Sequence, residues 1–252
     1  MEWELALRER ASEALRDTLK QAGVEVAIGK GKERLPVILS GPWKEEQLKL
    51  GIDLDISRSS QPLSSWMLAS ASLPMKVELK LHGKGVSNRH SKLTAEMIQL
   101  TGGKVELNGS QCVLSPWMPS LQETYAVPGD ASMTSFAFLA THCLDAEIEL
   151  HGWPGAEQAI GHEILSESAI ECGIKWDGDI LSCVGSKVPV TLDVTDSNDI
   201  LPPLAALLSL GCGGRITGAA HAVHKESNRL SRTVEVLSYF GIQATLLADG
   251  IE

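Results

Sequence analysis

Apolar and polar residues follow one pattern at four places along this chain. Each place has an amphipathic helix pattern, then a glycine, then a short strand in which polar and apolar residues alternate. The four segments are Leu15–Ile28, Leu93–Leu107, Ile164–Trp176 and Val234–Leu246. A glycine after a helix suits a C-cap with a left-handed backbone. The pattern predicts this conformation at four glycines, which are Gly23, Gly103, Gly173 and Gly241.

A second kind of helix is predicted between these segments. Each begins at a Ser, Asp or Asn that suits a helix N-cap, and each continues into a nearly apolar run. The three starts are Ser59-Ser60-Gln61, Asp130-Ala131-Ser132 and Asn198-Asp199-Ile200. Helices that are apolar all round are buried, so each repeat is expected to hold one buried helix and one surface helix.

The length of the repeat limits the possible folds, and the positions of its helix starts suggest what kind of ligand could bind. A period of about 70 residues exceeds those of the ankyrin and tetratricopeptide solenoids, which argues against these two fold classes. Buried helices that start at equivalent places can direct their N-termini into one cleft. Free amide N–H groups and the helix dipole favour anions there, although periodicity alone names no ligand.

Composition and charge narrow the class of protein. The chain has 252 residues, of which 43% are hydrophobic and 21% are charged, and this excludes wholesale disorder and a disulfide scaffold. The net charge of −10 argues against a nucleic-acid partner. An anionic ligand would therefore need local cations and backbone amides.

Several features indicate a cytoplasmic protein without a membrane partner. The longest nearly apolar stretch, from Ile200 to Cys212, is too short to span a bilayer, and the first residues do not resemble a secretory signal. The five cysteines form no C-x-x-C pair, which suits reduced thiols. The seven histidines show no zinc-type spacing, so no metal site is expected.

Three clusters could carry chemistry, and each has a purely structural alternative. The two hydroxyls and the amide of Ser59-Ser60-Gln61 could bind a phosphate or a sugar-like ring, or they could form a plain N-cap before a proline turn. In the second cluster, Lys225 and Arg229 flank Glu226 and would favour its ionised form, but such a charge run is usually a solvated helix start. The third is Asp199, which capping alone would explain.

These clusters, in this order, resemble the EPSP synthase (5-enolpyruvylshikimate-3-phosphate synthase) family of the enolpyruvyl transferase superfamily. Glu9-Arg10 is similar to the family's Glu-Arg-Pro, with Ala11 in place of the proline. The longer matching stretches are Ser59-Ser60-Gln61, Pro128-Gly129-Asp130-Ala131-Ser132, Asn198-Asp199-Ile200-Leu201-Pro202 and Lys225-Glu226-Ser227-Asn228-Arg229.

The resemblance implies an α/β (α+β) fold of tandem βαβαββ units in two lobes, with about four of the family's six units in this chain. The first lobe would take residues 1–127 and the second residues 128–252. The family's Gly-Asn-Ala-Gly-Thr loop, its N-terminal lysine-serine loop and its Asp-His-Arg segment are not found. His90, Lys92 and His221 stand where the family has a tyrosine, an aspartate and an asparagine.

The resemblance also implies a reaction. The enolpyruvyl group of phosphoenolpyruvate is transferred to the 5-hydroxyl of shikimate 3-phosphate with release of phosphate, and no cofactor or metal is needed. Asp199 would be the general base, Glu226 the general acid, and Lys225 would stabilise developing charge. Shikimate 3-phosphate would contact Ser59, Ser60, Gln61, Ser87, Asp199 and Lys225. Phosphoenolpyruvate would contact Arg10, Gln61 and Arg229.

Two other functions are compatible with the same residues. A non-catalytic homologue would bind a phosphorylated metabolite or a complementing protein chain. An enolpyruvyl transferase acting on UDP-N-acetylglucosamine is the second alternative, although the motifs at Ser59 and Lys225 resemble those of the shikimate branch of the superfamily. Missing outer units would expose apolar faces, which favours a homo-oligomer or a complementing chain. Because part of the anion clamp is absent, the shikimate 3-phosphate half of the site is expected to be better preserved than the phosphoenolpyruvate half.

Overall fold

The computed structural model describes residues 12–28, 36–121, 124–225 and 227–252. They form a mixed α/β structure, and the chain divides into two compact units, Met1–Tyr125 and Ala126–Glu252. Within the described ranges, no helix combines the length and the apolar character that crossing a membrane would require.

The first unit contains one complete βαβαββ repeat between Ile52 and Leu114. Strands β3 and β4 pair in parallel, β6 pairs antiparallel with both β4 and β5, and the sheet order is β3-β4-β6-β5. An antiparallel hairpin of β1 and β2 precedes it. The elements are α1 (Glu13–Gln21), β1 (Glu25–Ile28), β2 (Val37–Ser40), α2 (Glu45–Leu48), β3 (Ile52–Asp55), α3 (Gln61–Ala69), β4 (Val77–His82), α4 (Asn88–Leu100), β5 (Val105–Asn108) and β6 (Gln111–Leu114).

The second unit repeats this arrangement in two parts. Strands β7, β9 and β8 pair antiparallel in that order, as β4, β6 and β5 do. Strands β10 and β11 pair in parallel, as β3 and β4 do. The elements are α5 (Thr134–Leu144), β7 (Ile148–Glu149), α6 (Ile164–Ser168), β8 (Ile174–Asp177), β9 (Ile180–Cys183), β10 (Val190–Asp193), α7 (Leu201–Leu210), β11 (Gly214–Thr217) and α8 (Arg229–Tyr239). The βαβαββ arrangement expected from the sequence is confirmed by this order.

Each unit has its own hydrophobic core, and the two cores share no residue. Alternation of apolar and polar residues in β3 buries Ile52 and Leu54 and leaves Asp53 and Asp55 exposed. In the same core, the indole Nε1 of Trp66 donates a hydrogen bond to Thr18 Oγ1 at 2.8 Å. The core of the second unit surrounds α7, most of whose side chains are buried.

The glycine prediction is confirmed at three of four positions. A left-handed backbone is found at Gly23, Gly173 and Gly241. In the remaining repeat Gly102 takes this conformation, with φ of 90°, and Gly103 does not. Gly103 is required for a different reason, because a Cβ atom there would lie 2.7 Å from the Trp117 ring.

The second kind of helix is only partly buried in two of its three copies. Helix α7 is packed into its core as expected. By contrast, α3 exposes Leu68, and α5 exposes Phe136 and Leu144, the last with 70% of its surface accessible. The prediction of helices buried on every side is therefore wrong for α3 and α5 as they stand in this chain.

Candidate functional site

Both parallel strand pairs place predicted site residues at their carboxyl ends. In α/β sheets, ligands bind in the crevice outside these ends, where the loops lead into helix N-termini. In the first unit, the loops after β3 and β4 carry Ser59, Ser60, Gln61 and Ser87. In the second unit, the loops after β10 and β11 carry Asp199, Lys225 and Arg229. The predicted residues thus form two groups, one in each unit.

An aspartate at the end of β3 shapes the first of these loops. Asp55 Oδ1 accepts the backbone N–H of Ser57 at 2.8 Å, an arrangement that we call the aspartate turn. Hydrogen bonds from the Ser57 side chain and backbone lower the pKa of Asp55, helped by the nearby charge of Arg58. Gly83, with φ of 81°, packs against this turn, because a Cβ there would lie 2.8 Å from Ser57 Cβ. The loop after β4 therefore rests on the loop after β3.

The second unit contains the same aspartate turn. Asp193 Oδ1, at the end of β10, accepts the backbone N–H of Thr195 at 2.9 Å and its hydroxyl at 2.6 Å. Gly218, with φ of 77°, packs against it so closely that Asp193 and Thr195 leave no room for a Cβ. In both units this turn fixes how the two loops at the carboxyl ends approach each other.

The serine cluster of the first unit forms the start of α3. Ser59 Oγ accepts the backbone N–H of Gln61 at 3.1 Å, while Ser60 occupies the N-cap position without a side-chain capping bond. Ser59 therefore bonds within the turn before α3, and the Ser60 hydroxyl makes no capping bond. Ser59 and Ser60 are half-buried and Gln61 is exposed.

Ser87 occupies the N-cap position of α4 in a strained conformation. Its φ of 52° is unusual for a residue other than glycine, and its side chain is buried without making a capping bond. Helices α3 and α4 are in contact through two hydroxyls, because Thr94 Oγ1 on α4 lies 3.0 Å from Ser64 Oγ on α3. The structure thus brings Ser59, Ser60 and Ser87 to adjacent helix N-termini, which attract anions.

The second group is organised by Arg229, the first residue of α8. Its guanidinium donates to the backbone oxygen of Asn198 at 3.4 Å, to Asn198 Oδ1 at 3.0 Å and to Asp199 Oδ1. The side chains of Arg229 and Asp199 are 22% and 43% exposed, so this ion pair is only partly screened by solvent. Asp199 is not the N-cap residue of α7 or of the short 3₁₀ turn before it. Ion pairing, rather than capping, accounts for its position.

Asp199 is ionised at neutral pH. Burial alone would raise its pKa, but the hydrogen bond and charge of Arg229, then the charges of Lys225 and His162, outweigh burial and lower it. A general base must be ionised, as Asp199 is, although the bond from Arg229 also weakens its basicity. Lys225 is half-buried and lies close enough to Asp199 to contribute to this shift.

Two predicted residues lie outside the described ranges, Arg10 and Glu226. Among the family departures, Lys92 lies on the surface of α4, where its Nζ is 3.9 Å from Glu96 Oε1. His221 is buried, and its Nε2 lies 2.9 Å from Asn198 Nδ2. In the parts of the chain that the structure describes, no group of three or more His, Cys, Asp or Glu side chains could hold a metal ion.

Sequence reasoning missed the aspartate turns and the central place of Asn198. A signal for the turns was present, because Leu54-Asp55-Ile56-Ser57 is repeated as Leu192-Asp193-Val194-Thr195. Both stretches have leucine, aspartate, a β-branched apolar residue and a hydroxyl residue in the same order. The sequence places Asn198 at a helix start and in a family motif, but a single sequence does not show that this residue is only 2% exposed.

Comparison with known proteins settles the family. The model of the EPSP synthase (3-phosphoshikimate 1-carboxyvinyltransferase) family matches residues 4–252. The chain belongs to the EPSP synthase family. The family resemblance expected from the sequence is therefore confirmed.

Relatives in this family include two archaeal proteins named 3-phosphoshikimate 1-carboxyvinyltransferase. The protein from Methanosarcina acetivorans is 28% identical over 249 residues, which cover 94% of this chain and 56% of the relative. The protein from Thermococcus kodakarensis is 28% identical over 250 residues, which cover 98% of this chain and 59% of the relative. The chain therefore spans less than three-fifths of the length of these EPSP synthase relatives.

Solved structures agree on the fold. EPSP synthase from Acinetobacter baumannii superposes with a TM-score of 0.64 at 22% identity, covering 97% of this chain and 57% of that one. The enolpyruvyl transferase NikO from Streptomyces tendae superposes with a TM-score of 0.55 at 15% identity, covering 82% of this chain and 51% of that one. Together with the strand order, these likenesses confirm the enolpyruvyl-transferase fold.

Proposed function

We propose that this chain carries out the reaction after which its family is named. The enolpyruvyl group of phosphoenolpyruvate passes to the 5-hydroxyl of shikimate 3-phosphate, and phosphate is released. Family membership over residues 4–252 supports the proposal. The observation that carries it is the ionised Asp199, held by Arg229 at the carboxyl ends of a parallel strand pair.

The second unit supplies the proton-transfer groups in this proposal. Asp199 accepts the proton of the attacking 5-hydroxyl, and Lys225 stabilises the developing charge and contacts shikimate 3-phosphate. Arg229 binds phosphoenolpyruvate. When Arg229 turns its donors from Asp199 to this anion, Asp199 loses the bond that lowers its pKa and becomes a stronger base. Glu226, outside the described residues, protonates the methylene carbon as the 5-hydroxyl oxygen adds to the neighbouring carbon. One proton leaves the resulting methyl group when phosphate departs and the enolpyruvyl double bond forms again.

The first unit supplies most of the contacts to shikimate 3-phosphate. Ser59, Ser60 and Ser87 bind its phosphate, because their hydroxyls lie at two adjacent helix starts with positive dipole ends. Gln61 is exposed at the first turn of α3 and contacts the ring and phosphoenolpyruvate. Arg10, outside the described residues, adds a cation for phosphoenolpyruvate.

The remaining assignments concern the chain as a whole. We place the boundary of the two family lobes at residues 127 and 128, and we propose a cytoplasmic location, which the five free cysteines favour. A second copy or a complementing chain is expected to cover apolar side chains of the β1–β2 hairpin, among them Ile38 and Leu39, which are more than half exposed. Light scattering over a range of protein concentrations measures this association.

A phosphate-release assay tests the proposed reaction. The chain is incubated with phosphoenolpyruvate and shikimate 3-phosphate, and separately with phosphoenolpyruvate and UDP-N-acetylglucosamine. Phosphate release with the first pair only is expected, and Asp199→Asn lowers the rate by about 10² to 10⁴. The matched control is Asp179→Asn, which makes the same change at an exposed turn of the same unit.

Each outcome of the assay has a defined meaning. Phosphate release only with the pair of phosphoenolpyruvate and UDP-N-acetylglucosamine would show that the chain uses UDP-N-acetylglucosamine as the acceptor. Binding of shikimate 3-phosphate without any release would indicate a non-catalytic homologue. Equal rates for Asp199→Asn and the wild type would remove Asp199 from the mechanism.

A further inference from the structure

The buried amide of Asn198 has a hydrogen-bond partner at each end. Arg229 donates to Oδ1 at 3.0 Å, and Nδ2 lies 2.9 Å from His221 Nε2. A guanidinium can only donate, so the oxygen of the amide must face Arg229 and its nitrogen must face His221. An amide nitrogen also only donates, so His221 Nε2 must be unprotonated. The contacts therefore require a neutral imidazole that carries its proton on Nδ1.

We propose that His221 is a positioning residue that holds Arg229 against Asp199 through the side chain of Asn198, and that protonation of His221 releases this arrangement. Asn198 and His221 are only 2% and 8% exposed, so water has little access to replace a lost bond. A protonated Nε2 would set one donor against another. The amide must then turn or move, and Arg229 loses the Oδ1 acceptor of Asn198, one of the bonds that fix its guanidinium.

The charges around His221 determine when this release occurs. Asp196 and Asp199, on the segment between β10 and α7, favour the protonated ring. Protonation is opposed by burial and by two positive charges. These are Lys225, which follows the 3₁₀ turn Ala220–His224, and Arg229 on α8. Burial is the strongest of these influences, and the balance lowers the pKa of His221 below its usual value near 6.5. The ring is therefore neutral at pH 7, and Arg229 loses its bond to Asn198 Oδ1 only when the pH falls far enough to protonate His221.

The functional consequence rests on the proposed function of Asp199 and Arg229. His221 touches neither group directly in this network, because Asn198 lies between them. Its effect is to set the place of a guanidinium that pairs with the base and binds an anionic substrate. Protonation of His221 by acid would therefore disturb the position of Arg229 beside Asp199.

Nuclear magnetic resonance of the full chain without ligand tests the inference. Correlation of the imidazole nitrogens with ring protons identifies the tautomer of His221 at pH 7.5, where the Nδ1–H form is expected. As the pH is lowered until His221 is protonated, the side-chain signals of Asn198 and Arg229 should shift with the same midpoint as His221. The Nε2–H tautomer at pH 7.5, or Asn198 and Arg229 signals that do not follow His221, would overturn the inference.

Two variants separate positioning from a merely structural role. His221→Gln keeps an acceptor without a titration, so the Asn198 and Arg229 signals should keep their wild-type positions at pH 7.5 and stop responding to pH. His221→Leu removes the acceptor and should give the low-pH signals at every pH. If His221→Leu does not fold, His221→Gln alone decides, because a wild-type pH response in that variant contradicts the inference.

The control and the functional assay keep the two proposals distinguishable. His151→Gln removes an exposed histidine of the same unit, and it should behave like the wild type. No substrate is present in the spectroscopic experiment. Absence of phosphate release together with the expected signals would therefore reject the proposed function and leave the role of His221 intact. Phosphate release with the wrong tautomer would do the reverse.

Discussion

At the scale of single residues, the contact between Arg229 and Asp199 has two opposite effects on Asp199 as a proton acceptor. The guanidinium keeps the carboxylate ionised, and the same bond makes it a poorer proton acceptor. A ligand anion that competes for Arg229 would remove this inhibition at the moment when the base is needed. In the proposed reaction, substrate binding and base strength would thereby be coupled through the side chain of Arg229.

The lowered pKa of His221 predicts a dependence of stability on pH. The unfolded chain binds a proton at His221 near pH 6.5, and the folded chain binds it only at lower pH, so folding is favoured as the pH rises through this window. The stabilisation from His221 is complete above pH 6.5 and is lost as the pH falls through the folded pKa. The free energy of unfolding, measured with urea between pH 5 and 8, should change less with pH in His221→Gln than in the wild type. His151→Gln is the control, and identical slopes for His221→Gln and the wild type would contradict the prediction.

Burial also predicts which cysteines react. It raises the pKa of the Cys112 thiol to about 12, and it raises the pKa of Cys172 more than the hydrogen bond with Ser168 lowers it. Cys143 and Cys212 are exposed. In the folded protein a disulfide reagent should therefore modify Cys143 and Cys212 rapidly and spare Cys112 and Cys172. Mass spectrometry of the modified peptides measures this, and early modification of Cys112 would show that the first core opens easily.

At the scale of elements, the aspartate turn is what makes two loops behave as one support. The turn and its facing glycine occur in both parallel strand pairs, with the acceptor at the last residue of β3 and of β10. The residues that we propose to contact substrate follow each turn within a few positions. Their placement therefore depends on groups that do not themselves contact a ligand.

A methyl group at Gly83 should disturb this support. The added Cβ would lie 2.8 Å from Ser57 Cβ, and a φ of 81° is strained for alanine. Gly83→Ala is expected to lower the free energy of unfolding by about 1 to 3 kcal/mol and to weaken binding of shikimate 3-phosphate. Urea unfolding and calorimetry measure the two effects.

The matched control for this prediction is Gly109→Ala. Gly109 lies in the β5–β6 turn, its φ is not positive, and no heavy atom lies near an added Cβ. It should leave both measurements close to the wild type. Equal effects of the two substitutions would show that the contact of Gly83 with Ser57 has no special role.

Sequence periodicity predicted the elements better than their surroundings. Helix and strand patterns are local, so the repeats from Leu15 and Leu93 correspond to α1 with β1 and to α4 with β5. After Gly241 no strand forms; Leu246 makes only an isolated bridge with Ile251. The exposure of Phe136 could not be predicted either, because burial depends on which elements pack against α5.

The candidate site was predicted as a set of residues but not as a network. Motifs identified Asp199 and Arg229, and the structure pairs them. The bridging role of Asn198 depends on a contact with His221, which lies 23 positions further along the chain. Such contacts between distant positions leave no periodic signal in a single sequence.

At the scale of the whole molecule, the two separate cores predict that a substitution in one core destabilises its own unit and leaves the other unit unchanged. Leu204 is fully buried in the core around α7, so Leu204→Ala should cost about 2 to 5 kcal/mol in the second unit. Hydrogen exchange followed by mass spectrometry should show faster exchange in β10, α7 and β11. Peptides from β3, α3 and β4 should keep their wild-type rates.

Leu210→Ala provides the control, because Leu210 ends the same helix and is 46% exposed. It should leave exchange rates in both units near those of the wild type. Faster exchange in β3 and β4 after Leu204→Ala would show that the two units unfold together.

The two substrates are expected to differ in affinity. The helix starts at Ser60 and Ser87 are proposed to bind the phosphate of shikimate 3-phosphate and have no side-chain capping bond, whereas Arg229, proposed to bind phosphoenolpyruvate, is already paired with Asp199. Titration calorimetry with each compound should give the smaller dissociation constant for shikimate 3-phosphate. Binding of phosphoenolpyruvate alone would contradict the expectation.

Because each core is completed by residues of its own unit, a break between Tyr125 and Ala126 would divide neither of them. The coding sequence could be cut at that point and expressed as two genes whose products fold without each other. Recombination at this position would then exchange whole folding units between relatives, and each half could accumulate substitutions at its own pace.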